Sequence, residues 1–109
     1  MGKAEMRIAF KMKLYDGNEV EYEKRHNPIW AELKEVLLSH GAKSYSIFRD
    51  EESNNLFAYA EIEDREKWDE VANTDICGKW WDYMAPLMEV NEDNSPKSIE
   101  LKEVFHIEE

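Results

Sequence analysis

Hydrophobic and polar residues alternate in two segments, one near each end of the chain. In residues 7–14 the even positions are Ile8, Phe10, Met12 and Leu14, and the odd positions are polar or small. A period of two residues is typical of a strand with one buried face. Residues 98–107 alternate in the same way, except that Glu103 falls on the apolar side. We interpret Glu103 as the mark of a β-bulge rather than as a buried carboxylate.

Residues 22–40 carry an apolar stripe at helical spacing. The stripe consists of Tyr22, His26, Ile29, Trp30, Leu33, Val36, Leu37 and His40. Pro28 cannot donate a backbone hydrogen bond, and it disfavours helical angles at the residue before it. The pattern therefore predicts a helix that follows the turn at residues 16–18, kinks or restarts near Asn27, and ends near Gly41. Asn27 would cap the restarted helix, with Pro28 at its first position.

The middle of the chain predicts two strands followed by two helices. The strands are residues 43–49 and 55–62, joined by a polar hairpin loop, and the second is apolar enough to be a central strand covered on both faces. Asp64 is suited to cap a helix whose inward face is Trp68, Val71 and Ala72. Thr74 is suited to cap a further helix over residues 76–88.

The resulting order, β-α-β-β-α-α-β, predicts a ferredoxin-like split βαβ fold of the α+β class in a single domain. Such a fold has a four-stranded antiparallel sheet with helices on one face. The other face would be open, and strands one and three suggest that it is apolar. We therefore predict a homodimer with its sheets face to face, a dimeric α/β barrel, which light scattering at micromolar concentration tests.

Composition narrows the classes of partner. The formal net charge is -11, so phosphate backbones and anionic membrane surfaces would be repelled. Cys77 is the only cysteine, which excludes an internal disulfide and a thiolate zinc cluster. The first residues lack the apolar core of a signal peptide, and no apolar run is long enough to span a bilayer. These features predict a cytoplasmic protein without nucleic-acid or membrane partners.

His26 is the best candidate for acid or base chemistry. Signatures of nucleotide binding, zinc proteases and hydrolases are absent from the sequence. His40 lies at a helix end, where the helix dipole is a sufficient reason for it, and His106 is expected at the surface. His26 shares its stripe with Tyr22 and Trp30, and an unperturbed imidazole titrates near pH 6.5. The alternative is a hydrogen-bonded structural histidine at a helix kink.

Adjacent tryptophans, Trp80 and Trp81, allow two interpretations. Neighbouring side chains on a helix diverge by about 100°, so both cannot enter the same part of a core. One indole would then be buried and the other would lie at a rim or a dimer interface. Alternatively, both line a pocket for a ring-shaped ligand such as a sugar, and Tyr45 adds a phenolic donor. For Tyr45, packing in the core is the competing interpretation.

Four separated motifs resemble those of the L-rhamnose mutarotase family, in the family's order. They are Tyr22 to Trp30, Ser39 to Ala42 followed by Tyr45, Asn73 to Cys77 leading into Trp80 and Trp81, and Asn91 to Pro96. The resemblance extends from about Arg7 to Phe105, so residues 1–6 would be an N-terminal extension of a single domain, 1–109.

The resemblance implies a dimeric α+β barrel of ferredoxin-like topology. Its activity would be that of an isomerase of the racemase and epimerase class, which exchanges the α and β anomers of L-rhamnose in rhamnose metabolism without a metal or an organic cofactor. The catalytic proton donor falls on His26, and the sugar-binding positions fall on Tyr22, Tyr45, Trp80 and Trp81.

Two other functions fit the same topology. One is a small dimeric α/β-barrel monooxygenase, of a cofactor-free or haem-degrading kind, which haem titration would reveal. The other is a sugar-binding or regulatory module that binds rhamnose without accelerating anomer exchange.

Overall fold

The computed structural model describes residues 6–109, which form four strands and four helices. The strands are β1 (Met6–Lys13), β2 (Ala42–Arg49), β3 (Asn55–Ile62) and β4 (Ile99–Leu101), and the helices are α1 (Glu19–Arg25), α2 (Ala31–Ser39), α3 (Arg65–Glu70) and α4 (Asp75–Met84). The strand order in the sheet is β2-β3-β1-β4, and every pair is antiparallel. The predicted α+β class and split βαβ order are confirmed. None of the described helices is long and apolar enough to cross a membrane.

One face of the sheet packs against the helices and forms the core. Ile8 pairs with Ala60 and Met12 with Leu56, and all four are buried. Because directly paired residues point to the same side of a sheet, these positions define the helix-covered face. Leu14, Leu56 and Ile62 are its largest fully buried side chains.

The prediction that β3 is covered on both faces is wrong for the described chain. Its even-numbered residues are buried, but Phe57 is 37% exposed on the opposite side, and Tyr59 and Glu61 are only partly buried there. We call this opposite side the open face. Period-two alternation thus governs β3 as it does β1, although alanines on the buried side make the alternation hard to see in the sequence.

The helix break after His26 occurs as predicted, but the restart does not. α1 ends at Arg25 with His26 as its C-cap, the Asn27–Pro28 peptide is cis, and α2 begins at Ala31 with Trp30 as its N-cap. Asn27 is not the cap of α2, because its side-chain Nδ2 donates backwards to the Glu23 carbonyl at 2.8 Å. His26 thus keeps right-handed helical angles at the end of α1, whereas Trp30 has non-helical backbone at the start of α2.

Both predicted caps of the later helices are confirmed. The Asp64 carboxylate accepts hydrogen bonds from the backbone N–H groups of Glu66 and Lys67 at 2.8 and 3.3 Å, and Thr74 Oγ1 accepts from the Cys77 N–H at 3.4 Å. α4 does not continue to residue 88. A 3-10 turn, Ala85–Leu87, replaces its last part, since Pro86 lacks the N–H of an α-helical bond.

The end of α3 also differs in detail from the expected inward face. Val71 is buried and Trp68 is partly buried, but Ala72 is exposed. The reason is a second 3-10 turn, Val71–Asn73, whose tighter winding rotates Ala72 away from the core.

The last strand is shorter than the sequence predicts. β4 pairs with β1 only at Ile99–Leu101, and residues 102–109 are exposed. Glu103 lies beyond the strand, where its carboxylate accepts two hydrogen bonds from Arg7 at 3.1 and 2.9 Å. The bulge at Glu103 is therefore wrong: the carboxylate is satisfied at the surface by a guanidinium.

The predicted N-terminal extension, residues 1–6, lies outside the described residues except for Met6. Met6 is the first residue of β1 and pairs with Ile62, so it is part of the sheet.

Candidate active site

A cleft of about 1160 Å³ lies between the helices and the covered face of the sheet. All five residues singled out from the sequence line it: Tyr22, His26, Tyr45, Trp80 and Trp81. They come from three elements, because α1 carries Tyr22 with His26 as its cap, β2 carries Tyr45, and α4 carries the tryptophan pair. The fold therefore brings together residues that are far apart in the chain.

His26 occupies the C-cap of α1, between two aromatic rings. Its Nδ1 lies 2.9 Å from the Tyr22 carbonyl oxygen. Its ring centroid is 4.5 Å from that of Tyr22 and 5.2 Å from that of Trp80, and the Trp80 ring is nearly perpendicular to it. Burial among these rings lowers the pKa of His26, and the hydrogen bond to the Tyr22 carbonyl opposes this shift only in part.

Trp80 also packs against two further aromatic rings, which stack on each other. The Trp30 ring meets the Trp80 ring edge-on at 5.0 Å and stacks on Tyr83 at 5.2 Å. The Arg25 guanidinium lies 4.1 Å above the centroid of the Tyr83 ring on the outside of the stack. Trp30 and Tyr83 were not among the predicted site residues. Tyr83 follows Trp80 by three residues on α4, a spacing that brings two side chains together on one helical face.

The two interpretations of the tryptophan pair are compatible in the folded chain. Trp80 is 9% exposed and belongs to the core, whereas Trp81 is partly buried and packs at the edge of that core. Both side chains nevertheless reach the cleft. Because adjacent helical residues diverge by about 100°, their indoles form separate surfaces rather than one.

Tyr45 contributes the wall opposite α1. Its ring meets Trp68 edge-on at 5.5 Å and lies 6.5 Å from Phe10. Burial raises the pKa of Tyr45 to about 12, and burial also raises the pKa of Tyr22 above its ordinary value. Both phenols consequently stay protonated across the physiological range and can act as hydrogen-bond donors.

A polar hairpin, residues 89–97, borders the cleft beside α4. Val90 and Pro96 form an antiparallel bridge, and the Asn91 N–H donates to the Ser95 carbonyl at 2.8 Å. Asn94 donates from Nδ2 to the Asp82 carboxylate on α4 at 3.0 Å, which fastens the hairpin to that helix. Asn91, Asn94, Ser95 and Pro96 line the cleft. Sequence reasoning recognised this segment as a motif but gave none of its residues a role.

The arrangement combines one neutral-range titrating group with an aromatic surface and phenolic donors. No group of three His, Cys, Asp or Glu side chains within residues 6–109 is placed to hold a metal ion. The site is equipped to transfer protons to and from a ligand that has hydroxyl groups on one side and C–H faces on the other.

Comparison with known proteins agrees with this chemistry. The family model described as L-rhamnose mutarotase matches residues 7–107. The L-rhamnose mutarotase of Lachnoclostridium phytofermentans is 55% identical over 94% of this chain and 99% of its own length. A solved structure, that of L-rhamnose mutarotase from Formosa agariphila, has a TM-score of 0.88 at 50% identity over 94% of this chain and 99% of its own.

A more distant solved structure shares only the fold. It is a dimeric ferredoxin-like protein from an uncultured marine organism, with a TM-score of 0.65 at 16% identity over 94% of this chain and 95% of its own. The family match covers most of the chain, and the two relatives are 55% and 50% identical to it over nearly their full lengths. The chain belongs to the L-rhamnose mutarotase family.

Proposed function

We propose that this protein is an isomerase that interconverts the α and β anomers of L-rhamnose. The observation that carries the proposal is the meeting of His26, Tyr22, Tyr45, Trp80 and Trp81 in one cleft of the monomer. Relatives that are 55% and 50% identical over nearly their full lengths bear the name L-rhamnose mutarotase.

Anomer exchange requires only the movement of protons. The pyranose ring opens when the ring oxygen gains a proton and the anomeric hydroxyl loses one, and it closes again after rotation about the C1–C2 bond. An imidazole can carry these protons near neutral pH, so the chemistry requires neither a metal ion nor an organic cofactor. His26 is the proposed proton donor to the ring oxygen.

The other four residues would hold the sugar. The indole faces of Trp80 and Trp81 offer surfaces for the C–H face of the ring and for the methyl group of rhamnose. The protonated phenols of Tyr22 and Tyr45 can donate hydrogen bonds to sugar oxygens. A site of few polar groups on an aromatic wall suits a small sugar better than a charged ligand.

Saturation-transfer NMR of L-rhamnose at anomeric equilibrium tests the proposal directly. Saturation of one anomeric proton signal should decrease the other only when the protein is present, and fucose and galactose in parallel samples define the specificity. The His26→Ala variant should lose this transfer while keeping the wild-type circular dichroism spectrum. Wild-type exchange in the folded His26→Ala variant would refute the role of His26.

Two experiments separate the alternative functions. A sugar-binding module would cause chemical-shift changes on addition of rhamnose without any transfer of saturation between anomers. A haem-binding monooxygenase would shift the Soret band of haem on titration, and we expect no shift because the cleft is lined by the sugar-binding residue types of the family.

The proposed assembly is a homodimer built on the open face of the sheet. Phe48 is 65% exposed and Ile99 61% exposed on this face, and the following tail exposes Val104, Phe105 and Ile107. Isolated exposed apolar residues are common, but a group of them beside an uncovered sheet is typical of an interface. Sedimentation equilibrium at micromolar concentration should give a mass near twice 13.0 kDa.

The proposed location is the cytoplasm. Cys77, the one cysteine, is buried as a free thiol, as is usual in reducing compartments. Fractionation of the producing cells, with detection by antibody, should find the protein with cytoplasmic markers rather than with membranes or medium.

A further inference from the structure

We propose that His26 is also the general base of the reaction: resting as the neutral Nδ1–H tautomer, it takes the anomeric hydroxyl proton on Nε2 and passes that proton to the ring oxygen. This inference rests on the proposed anomer exchange and assigns both proton transfers to one nitrogen. It differs from a mechanism in which a resting imidazolium acts first as an acid and another residue acts as the base.

The tautomer follows from the hydrogen bond between His26 and its own helix. Nδ1 lies 2.9 Å from the backbone carbonyl oxygen of Tyr22. A carbonyl oxygen only accepts hydrogen bonds, so the hydrogen must be on Nδ1. A neutral imidazole carries one ring hydrogen, and Nε2 is therefore left with a free lone pair. No group within residues 6–109 forms a hydrogen bond with Nε2.

The surroundings of the ring favour its neutral form. Trp80 packs on it edge-on from α4 at 5.2 Å and Tyr22 lies beside it, so charge on the ring would be poorly solvated. The resulting pKa of His26 is lower than its ordinary value, with burial as the main cause. At neutral pH, Nε2 is accordingly a proton acceptor.

The other ionisable groups that line the cleft do not offer a better base. Lys34 and Arg49 are cations, the Asp69 carboxylate on α3 accepts from Arg65 Nε at 3.1 Å, and Glu51 in the loop after β2 is exposed. From α1, Glu19 is engaged by Asn54 Nδ2 at 2.8 Å, and Glu23 is exposed at the rim. From α4, burial raises the pKa of the Cys77 thiol to about 11. From β2, burial keeps the Tyr45 phenol protonated, as it does Tyr22 on α1. These groups leave His26 as the acceptor within the aromatic part of the cleft.

His26 alone is sufficient for both proton transfers. Nε2 removes the proton from the anomeric O1, the O–H electron pair forms the C1=O1 double bond, and the C1–O5 bond breaks. O5 takes that electron pair and receives the proton from Nε2. O1 and O5 are bonded to the same carbon, so a small shift of the sugar brings each in turn to the same nitrogen. Rotation about C1–C2 and the reverse transfers give the other anomer, and His26 returns to its neutral state.

The pH dependence of enzymatic exchange distinguishes this mechanism from the alternative. If the neutral ring is the base, kcat/KM rises with pH through one ionisation below about 6.5 and stays level above it. If the imidazolium must act first, kcat/KM falls as pH rises through the same ionisation, which would overturn the inference. The solvent-catalysed rate, measured with His26→Gln protein at each pH, is subtracted.

Nitrogen-15 NMR of the full-length protein tests the tautomer without any assay of activity. Long-range couplings between ring nitrogens and ring protons should identify Nδ1 as the protonated nitrogen of His26 at pH 7.5, and the same spectra give its pKa. A hydrogen on Nε2 in the neutral ring would overturn the inference. Absence of anomer exchange at every pH would instead refute the proposed function and leave the observed tautomer unchanged.

A matched pair of variants completes the test. His40 is also the C-cap of a helix, and its Nδ1 lies 2.7 Å from the carbonyl of the residue four positions earlier, Val36, but it does not line the cleft. His26→Gln keeps a side chain able to form hydrogen bonds but removes the titrating group, so it should lose the pH-dependent rate, about 10²–10⁴-fold. His40→Gln should retain both the rate and its pH profile.

Discussion

The two faces of the sheet differ in whether other parts of the same chain cover them. On the covered face, the rings of His26, Tyr22 and Trp80 pack against each other within one chain and line a cleft. On the open face, Phe48 and Ile99 remain mostly exposed. The proposed acid–base and sugar-binding groups therefore all lie in one chain, whereas the open face is uncovered in the described residues.

The open face is also less apolar than strands one and three suggest. β1 contributes Arg7, Lys11 and Lys13 to it, and β3 contributes Phe57 together with the Tyr59 and Glu61 pair, in which the phenol donates to the carboxylate at 2.9 Å. Its apolar character comes from the outer strands β2 and β4 and from the tail. An interface here would therefore combine charged residues near its centre with apolar residues at two edges.

The largest expected effect is on the rate of anomer exchange. It distinguishes two histidines that both occupy the C-cap of a helix. His26→Ala should decrease anomer exchange by about 10²–10⁴-fold, because it removes the titrating group of the cleft. His40→Ala should change it by less than about twofold, since His40 lies outside the cleft. Exchange rates from saturation transfer at equal protein concentration provide the measurement. Equal losses in both variants would mean that helix capping, not proton transfer, is being measured.

The next largest effect is on stability, and it distinguishes Trp80 from Trp81. Trp80→Ala should lower the free energy of unfolding by about 3–5 kcal/mol, as is typical for loss of a buried aromatic side chain. Trp81→Ala should cost less because Trp81 is only partly buried, but it should raise KM for the sugar. Urea denaturation and exchange kinetics measure the two quantities. A Trp81→Ala variant with unchanged KM would remove Trp81 from the sugar site.

A smaller effect compares one phenol on each face of the sheet. Tyr45→Phe should lower kcat/KM about 2–10-fold, which corresponds to one neutral hydrogen bond of about 0.5–1.5 kcal/mol. Tyr59→Phe removes a hydroxyl on the open face, where it donates to Glu61, and should leave kcat/KM unchanged. If Tyr45→Phe has wild-type kinetics, the Tyr45 hydroxyl has no part in sugar binding.

The smallest effect on activity is expected from charges on the open face. A double variant, Phe57→Glu with Ile99→Glu, should be monomeric at micromolar concentration by sedimentation equilibrium, because both residues lie on the open face, and neither lines the cleft. Its exchange rate per chain should match that of the wild type, because every residue of the aromatic cleft belongs to one chain. A monomer that has lost activity would show that the cleft needs the partner, and the comparison between the faces would fail.

Local pattern was sufficient to predict the first three strands and the caps of α3 and α4. The alternation around Ile8 and Met12 and the side chains of Asp64 and Thr74 act on their own segments, so the sequence contains the information needed. The set of residues that meet in the cleft was harder to predict from the sequence. Helical spacing placed Tyr22 beside His26, but the approach of Trp80 to His26 depends on how α4 lies on the sheet. The family resemblance supplied that relation.

The wrong predictions arise where a residue interacts with another segment of the chain, which the pattern of its own segment does not describe. Asn27 was expected to cap a new helix, but its side-chain amide donates to the Glu23 carbonyl at the end of α1, which also accepts from the His26 N–H. The apolar alternation after Leu101 predicted a longer strand, but β4 pairs with β1 only as far as Leu101. Glu103 pairs with Arg7, a residue 96 positions away, which no local pattern indicates.

The anchored hairpin at residues 89–97 has a consequence for the energetics of binding. Its bridge between Val90 and Pro96 and its bond from Asn94 to Asp82 are contacts within the chain itself. A rim that is ordered during folding loses little conformational entropy when a ligand arrives. More of the contact energy with a small sugar then remains available as affinity, and amide hydrogen exchange in this segment should be nearly the same before and after binding.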